Sequence, residues 1–159
     1  MRTTLALGLL AVALAAAPAS TLAAPPPAGP KFKLTVTLSP AALAKLTAKK
    51  EAVTISAMYG GEPNKAGESR AIEGEINLGN DDLTRVADGA KVEFDFTGKG
   101  FKAAEMKYVK TGTARILING YSARRAFDDN ILDCAIWDGT LAEAAAASPI
   151  PIACKLIEE

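Results

Sequence analysis

The sequence predicts a mainly β protein: an antiparallel β-sandwich or partly closed barrel of about seven or eight short strands with two short helices. Three observations carry this. Apolar residues recur with period two in one segment after another. Clusters of Gly, Pro, Asn and Asp separate those segments. No regular strand–helix–strand alternation runs through the chain, so a parallel sheet is the weaker assignment.

Each element has its own signal. Phe32, Leu34, Val36 and Leu38 alternate with Lys31, Lys33, Thr35 and Thr37, the pattern of a half-buried strand. Ser39-Pro40 then supplies an N-cap followed by proline at the first helical position, and the Ala-, Leu- and Lys-rich residues 41–50 predict a short helix. Val53, Ile55, Ala57 and Tyr59 form the next strand, and residues 60–69 (GGEPNKAGES) a loop. Ile72, Gly74, Ile76 and Leu78, alternating with Glu73, Glu75 and Asn77, predict a third strand. The polar stretch to Gly89 predicts one helical turn over residues 82–87.

Val92, Phe94 and Phe96 alternate with Lys91, Glu93 and Asp95 in the cleanest strand of the chain. Residues 104–109 fit a strand or a helical turn, and Lys110-Thr111-Gly112 a tight turn. Residues 114–118 (ARILI) predict a strand whose Ile116-Leu117-Ile118 run points to burial on both faces. Asn119-Gly120 fits either a hairpin turn or a bulge inside a longer strand through Ala123. Residues 131–137 predict a strand, residues 140–147 (TLAEAAAA) a helix ended before Ser148-Pro149, and residues 150–156 a final strand.

The chain opens with Met1-Arg2-Thr3-Thr4, an apolar run over residues 5–17 and a Thr21-Leu22-Ala23 triplet, the pattern of a cleaved secretory signal over residues 1–23. That apolar run is shorter than the roughly 20 residues needed to span a bilayer. A Pro-rich linker is expected over residues 24–30 (APPPAGP), then a single β-rich domain over residues 31–159. The expected location is periplasmic or secreted, with no stable membrane anchor in the mature form.

Two cysteines, Cys134 and Cys154, fall in the mature part, and in an oxidising compartment they predict a disulfide. Strand parity places Cys134 with Leu132 and Ile136, and Cys154 with Ile150, Ile152 and Leu156. Both thiols then face the apolar side, so the bond is expected to tie the C-terminal strand into the core. Trp137 has the opposite parity to Cys134, which argues against an immunoglobulin domain with its tryptophan packed on the disulfide.

Composition bounds the chemistry. Removal of residues 1–23 leaves 136 residues with 17 basic and 18 acidic side chains, which argues against a nucleic-acid binder. Histidine is absent, which excludes His-based acid–base catalysis, Ser-His-Asp and Cys-His arrangements, and the commonest metal ligand. Glu73 and Glu75 would share a strand face about 7 Å apart, a carboxylate pair of glycosidase type, though alternating Glu is first of all a solvated face. Asp128-Asp129-Asn130 with Asp133, and Asn80-Asp81-Asp82, are oxygen-rich but do not match a calcium loop, and turn chemistry accounts for them. No catalytic residue, cofactor or metal site is therefore assigned.

Charge is sorted along the chain. Residues 31–50 hold five lysines and no acid, residues 68–95 eight acids against three bases, residues 99–125 seven bases against Glu105, and residues 128–143 five acids. Neutralisation between neighbouring strands explains such alternation, and a polarised surface that steers a partner is the functional alternative. Within this pattern Tyr121, Arg124, Arg125 and Phe127 combine Arg and aromatic types in an expected loop, the composition of interface hot spots. A structural alternative buries both aromatics and pairs the arginines with Asp128 and Asp129.

The sequence thus points to an exported protein that works by binding an envelope or extracellular protein, as inhibitor, protective factor or scaffold. Two alternatives remain. A hydrolase using carboxylates or a Ser/Lys pair needs a deep pocket around Glu73 and Glu75 or a buried unpaired lysine. A structural envelope component needs a long uncovered strand edge.

Overall fold

The computed structural model describes residues 29–159; the signal segment expected over residues 1–23 and most of the linker expected over residues 24–30 lie outside the described residues. Eight strands are present: β1 (Phe32–Leu38), β2 (Ala52–Gly61), β3 (Ile76–Val86), β4 (Lys91–Phe96), β5 (Arg115–Ser122), β6 (Leu132–Cys134), β7 (Trp137–Thr140) and β8 (Ile150–Leu156). Two α-helices, α1 (Pro40–Lys49) and α2 (Leu141–Ala146), accompany three short 3₁₀ segments. The strands form two four-stranded sheets, β4-β1-β8-β6 and β3-β2-β5-β7, stacked as a sandwich and not closed into a barrel. Every pairing is antiparallel except β1 with β8, where Leu34 lies beside Ile150 and Leu38 beside Cys154.

Period-two alternation translates directly into the core. Phe32, Leu34, Val36 and Leu38 of β1, Val92, Phe94 and Phe96 of β4, and Ile150, Ile152 and Leu156 of β8 are buried on the inner face of one sheet. Val53, Ile55, Ala57 and Tyr59 of β2, with Ile116 and Ile118 of β5, face them from the other. Each fully buried Leu, Ile or Phe contributes roughly 1.5–3 kcal/mol. Phe32 and Phe96, partners in register, stack with centroids 4.8 Å apart.

Helix α1 begins as its sequence requires. Ser39 is the N-cap, and its hydroxyl accepts from the Ala42 N–H at 3.1 Å. The helix ends at Lys50, in the left-handed region at φ 54°. Helix α2 carries a reciprocal cap in which Thr140 and Glu143 bond each other's backbone N–H.

Several expectations are corrected. The strand expected over residues 72–78 begins only at Ile76, because Glu73 and Gly74 both take positive φ in a tight turn closed by mutual Ile72 and Glu75 backbone bonds. β3 then runs on to Val86, so residues 82–87 form no helical turn: pairing with β2 outweighs the local propensity of a polar segment. β5 passes straight through Asn119-Gly120, which sit opposite Ser56 and Ile55 in unbroken register, and Leu117 is 37% exposed, so the Ile-Leu-Ile run is buried on one face only. The strand expected over residues 131–137 is two strands, since the chain leaves one sheet after Cys134 and joins the other at Trp137. Ile136, at the crossing, is 64% exposed and does not share the inward face of Cys134.

The disulfide joins Cys134 to Cys154, direct partners on β6 and β8. Both half-cystines are at or near full burial and belong to the core. Among the described residues no helix is long and apolar enough to cross a membrane.

Candidate partner-binding loop

The segment between β5 and β6 carries Arg124, Arg125 and Phe127, with Tyr121 on the strand that leads into it. Two sets of hydrogen bonds fix it. At its mouth, the Ser122 N–H and hydroxyl donate to Asn130 Oδ1 at 2.8 and 3.2 Å, and the Ile131 N–H donates to Ser122 Oγ at 3.0 Å. The Asn130 amide also donates to the Leu132 carbonyl at 2.7 Å and accepts from the Leu132 N–H at 3.0 Å. Asn130 thus closes the loop by satisfying backbone groups that no strand partner reaches.

Glu51 fixes the floor. It follows α1, is 1% exposed, and lies beneath the loop. Its Oε2 accepts from the Arg125 and Ala126 N–H groups at 2.8 Å each, and its Oε1 from the Ala52 N–H at 2.8 Å. Burial pushes this carboxyl up, but the bonds from Ala126, Ala52 and Arg125, with the Arg125 charge, outweigh burial and hold it below its ordinary value. A buried carboxylate with three N–H donors is a satisfied ion rather than a general acid.

Above this floor the side chains emerge. Arg124 takes a left-handed conformation at φ 55°. Both arginines are exposed, and among the described residues neither lies within ion-pair distance of a carboxylate. Asp128 and Asp129 do not neutralise them. Phe127 is half-buried, with the Lys45 ammonium 5.7 Å from its ring centroid. Tyr121 is also half-buried, on the outer face of its sheet. Burial and the Asp82 carboxylate raise the Tyr121 phenol, and Arg124 opposes them. The structure therefore brings Tyr121, Arg124, Arg125 and Phe127 into one held segment, neither wholly core nor wholly solvent. Glu51, Ser122 and Asn130, which build it, carried no recognisable motif. The one available signal was an isolated acid directly after a run of lysines.

The other candidates lie outside this loop or make bonds within the fold. Glu73 and Glu75 are exposed and sit on a turn and its exit, lining an open groove of about 400 Å³. Asp81 accepts from the Tyr59 hydroxyl at 2.9 Å and the Gly100 N–H at 2.7 Å, tying a loop onto β3. Asn80 donates to Asp82 at 3.1 Å. Among the described residues no group of three or more acidic or Cys side chains is placed to hold a metal ion, and Glu51 is the only charged side chain buried. Much of the sorted charge is used between strands: Lys33 meets Asp95 at 3.2 Å, Arg115 meets Asp138 at 2.8 Å and Lys155 meets Asp133 at 3.8 Å. All of these are exposed pairs, each contributing a fraction of about 1 kcal/mol. The edge of β3 is partly covered, since the Lys102 N–H donates to the Leu78 carbonyl at 2.8 Å.

Compared with known protein families, curated proteins and solved structures, the chain matches none.

Proposed function

We propose that this is an exported, non-catalytic binding module that captures an envelope or extracellular protein through the β5–β6 loop. The observation that carries the proposal is the contrast inside that loop. Its backbone is held by Glu51 and Asn130, while the Arg124 and Arg125 side chains are left without ion-pair partners. A preordered loop loses little entropy on binding, and exposed arginines beside half-buried aromatics supply the chemistry of an interface anchor. The disulfide supports an oxidising compartment, and the leader-like residues 1–23 support export.

The test is capture of partner from the envelope fraction of the source cell by immobilised protein. Neutralising both side chains (Arg124→Gln with Arg125→Gln), which puts no second negative charge beside Glu51, should leave stability within the range of ordinary surface changes, about 0.5 kcal/mol, and weaken capture, most clearly at low salt. Unchanged capture by a folded variant would remove this loop as the site.

A further inference from the structure

We propose that the β5–β6 loop and the end of α1 form one basic surface, made by Lys49, Lys50, Arg124 and Arg125, which receives an acidic segment of a partner protein. This rests on the binding function above and specifies the chemistry of what is bound. The two cationic pairs are distant in sequence and are brought together by Glu51. That residue directly follows Lys50, and its Oε2 accepts from the Arg125 and Ala126 N–H groups at 2.8 Å. One step further along, the Ala123 N–H donates to the Ala52 carbonyl at 2.8 Å. Ala52 therefore lies beside Ala123, and the Glu51 side chain reaches under residues 125 and 126, which sets the end of α1 next to the loop.

Backbone conformation marks the same place. Lys50 at φ 54° and Arg124 at φ 55° are both left-handed, a region where glycine or asparagine is at ease and other side chains are not. Each of these positions is occupied by a cation, flanking Glu51. All four basic side chains are exposed, and among the described residues none lies within 4 Å of a carboxylate. Lys33, Arg115 and Lys155, by contrast, are each neutralised across a strand pair. The Glu51 carboxylate is turned inward onto backbone donors and offsets the patch only in part, through its attraction to the Arg125 charge.

The surroundings favour a polypeptide over a continuous polyanion. Exposed Asp128 and Asp129 stand in the same loop, separated from the arginines by Ala126 and Phe127, and Asp82 lies near Tyr121. A nucleic-acid backbone or an anionic bilayer presents unbroken negative charge and is repelled by such neighbours. A protein segment sets a few carboxylates between apolar groups, which meet the four cations while leaving Phe127 and Tyr121 an apolar contact.

The experiment uses the exported, disulfide-bonded protein and a fluorescein-labelled peptide of alternating glutamate and phenylalanine, read by anisotropy. Vesicles of phosphatidylglycerol and a heparin oligosaccharide run as parallel probes. Saturable peptide binding that weakens as salt rises is expected. Lys50→Gly and Arg124→Gly are the informative variants, because glycine suits both backbones. Each should keep or raise the melting temperature and weaken peptide binding by roughly threefold to tenfold. Lys49→Gln should weaken it without touching the strained backbone. Loss confined to Arg124→Gly, with Lys49 and Lys50 variants binding as the parent does, would overturn the shared surface and leave the loop function standing. Absent peptide binding also overturns it, whether or not vesicles or heparin bind. Partner capture that still depends on Arg124 and Arg125 in that case keeps the binding function and removes only the acidic partner.

Discussion

Gly120 and Cys134 touch across the two sheets: a Cβ built on Gly120 would lie 2.9 Å from the Cys134 sulfur and 3.0 Å from the Ile55 side chain. Glycine here is set by close approach of β5 to the disulfide, not by any need for a turn. The sulfur cannot move aside, because it is bonded to Cys154 in the neighbouring strand. Gly120→Ala should therefore destabilise by about 1–3 kcal/mol through overpacking, although alanine is otherwise the better strand residue. Denaturant unfolding of the oxidised protein measures this, and an unchanged midpoint would show that the sheets part easily.

Reduction acts on the same contact from the other side. Cys134 and Cys154 are 20 positions apart. Opening a loop of that size releases the unfolded chain by roughly 3 kcal/mol on chain-entropy grounds. Cys134→Ala with Cys154→Ala should lower stability by about that amount, and alkylation of the native oxidised protein should find no free thiol.

Glu51→Gln tests the floor of the loop. A carboxamide keeps one acceptor oxygen and aims an N–H at donors it cannot satisfy, so a loss of about 2 kcal/mol is expected. The pH dependence has a definite sign. The folded carboxyl lies below its ordinary 4.5, so its contribution is complete above about pH 4.5 and is lost as pH falls through the folded value. The decline in melting temperature below that pH should be shallower in the Gln variant than in the parent. Equal slopes would assign the acid sensitivity to other carboxylates.

Alkaline titration probes the other buried polar contact. Burial, the hydrogen bond to Asp81 and its charge hold the Tyr59 phenol far above its ordinary value of 10.0. The tyrosinate absorbance of the folded protein should stop short of its full amplitude at pH 11, and Tyr59→Phe should remove the missing fraction. The stability tied to this neutral phenol is complete below pH 10 and is lost as pH rises towards its folded value.

Strands whose two faces differ were legible from alternation alone, as in β1, β4 and β8. Elements decided by distant partners were not. Ile72 to Leu78 keeps period two on paper, but Glu73-Gly74 turns because its flanks can bond each other, and the polar half of β3 is a strand because β2 lies beside it. The change of sheet after Cys134 has no local marker, so parity counted past it failed at Ile136. The disulfide was legible because cysteine chemistry is local to the residue type. Tyr121, Arg124, Arg125 and Phe127 were legible as a composition, whereas the roles of Glu51 and Asn130 exist only once residues far apart in the chain are adjacent.

The parallel pairing of β1 with β8 places β8, the last of the described strands, in the interior of its sheet, between β1 and β6. Without residues 150–156, β6 has no neighbour in that layer, Cys134 has no partner, and β1 is paired on one side only. The sheet of β1 is therefore completed only by a pairing between segments near the two ends of the described residues, the long-range kind of contact that forms slowly.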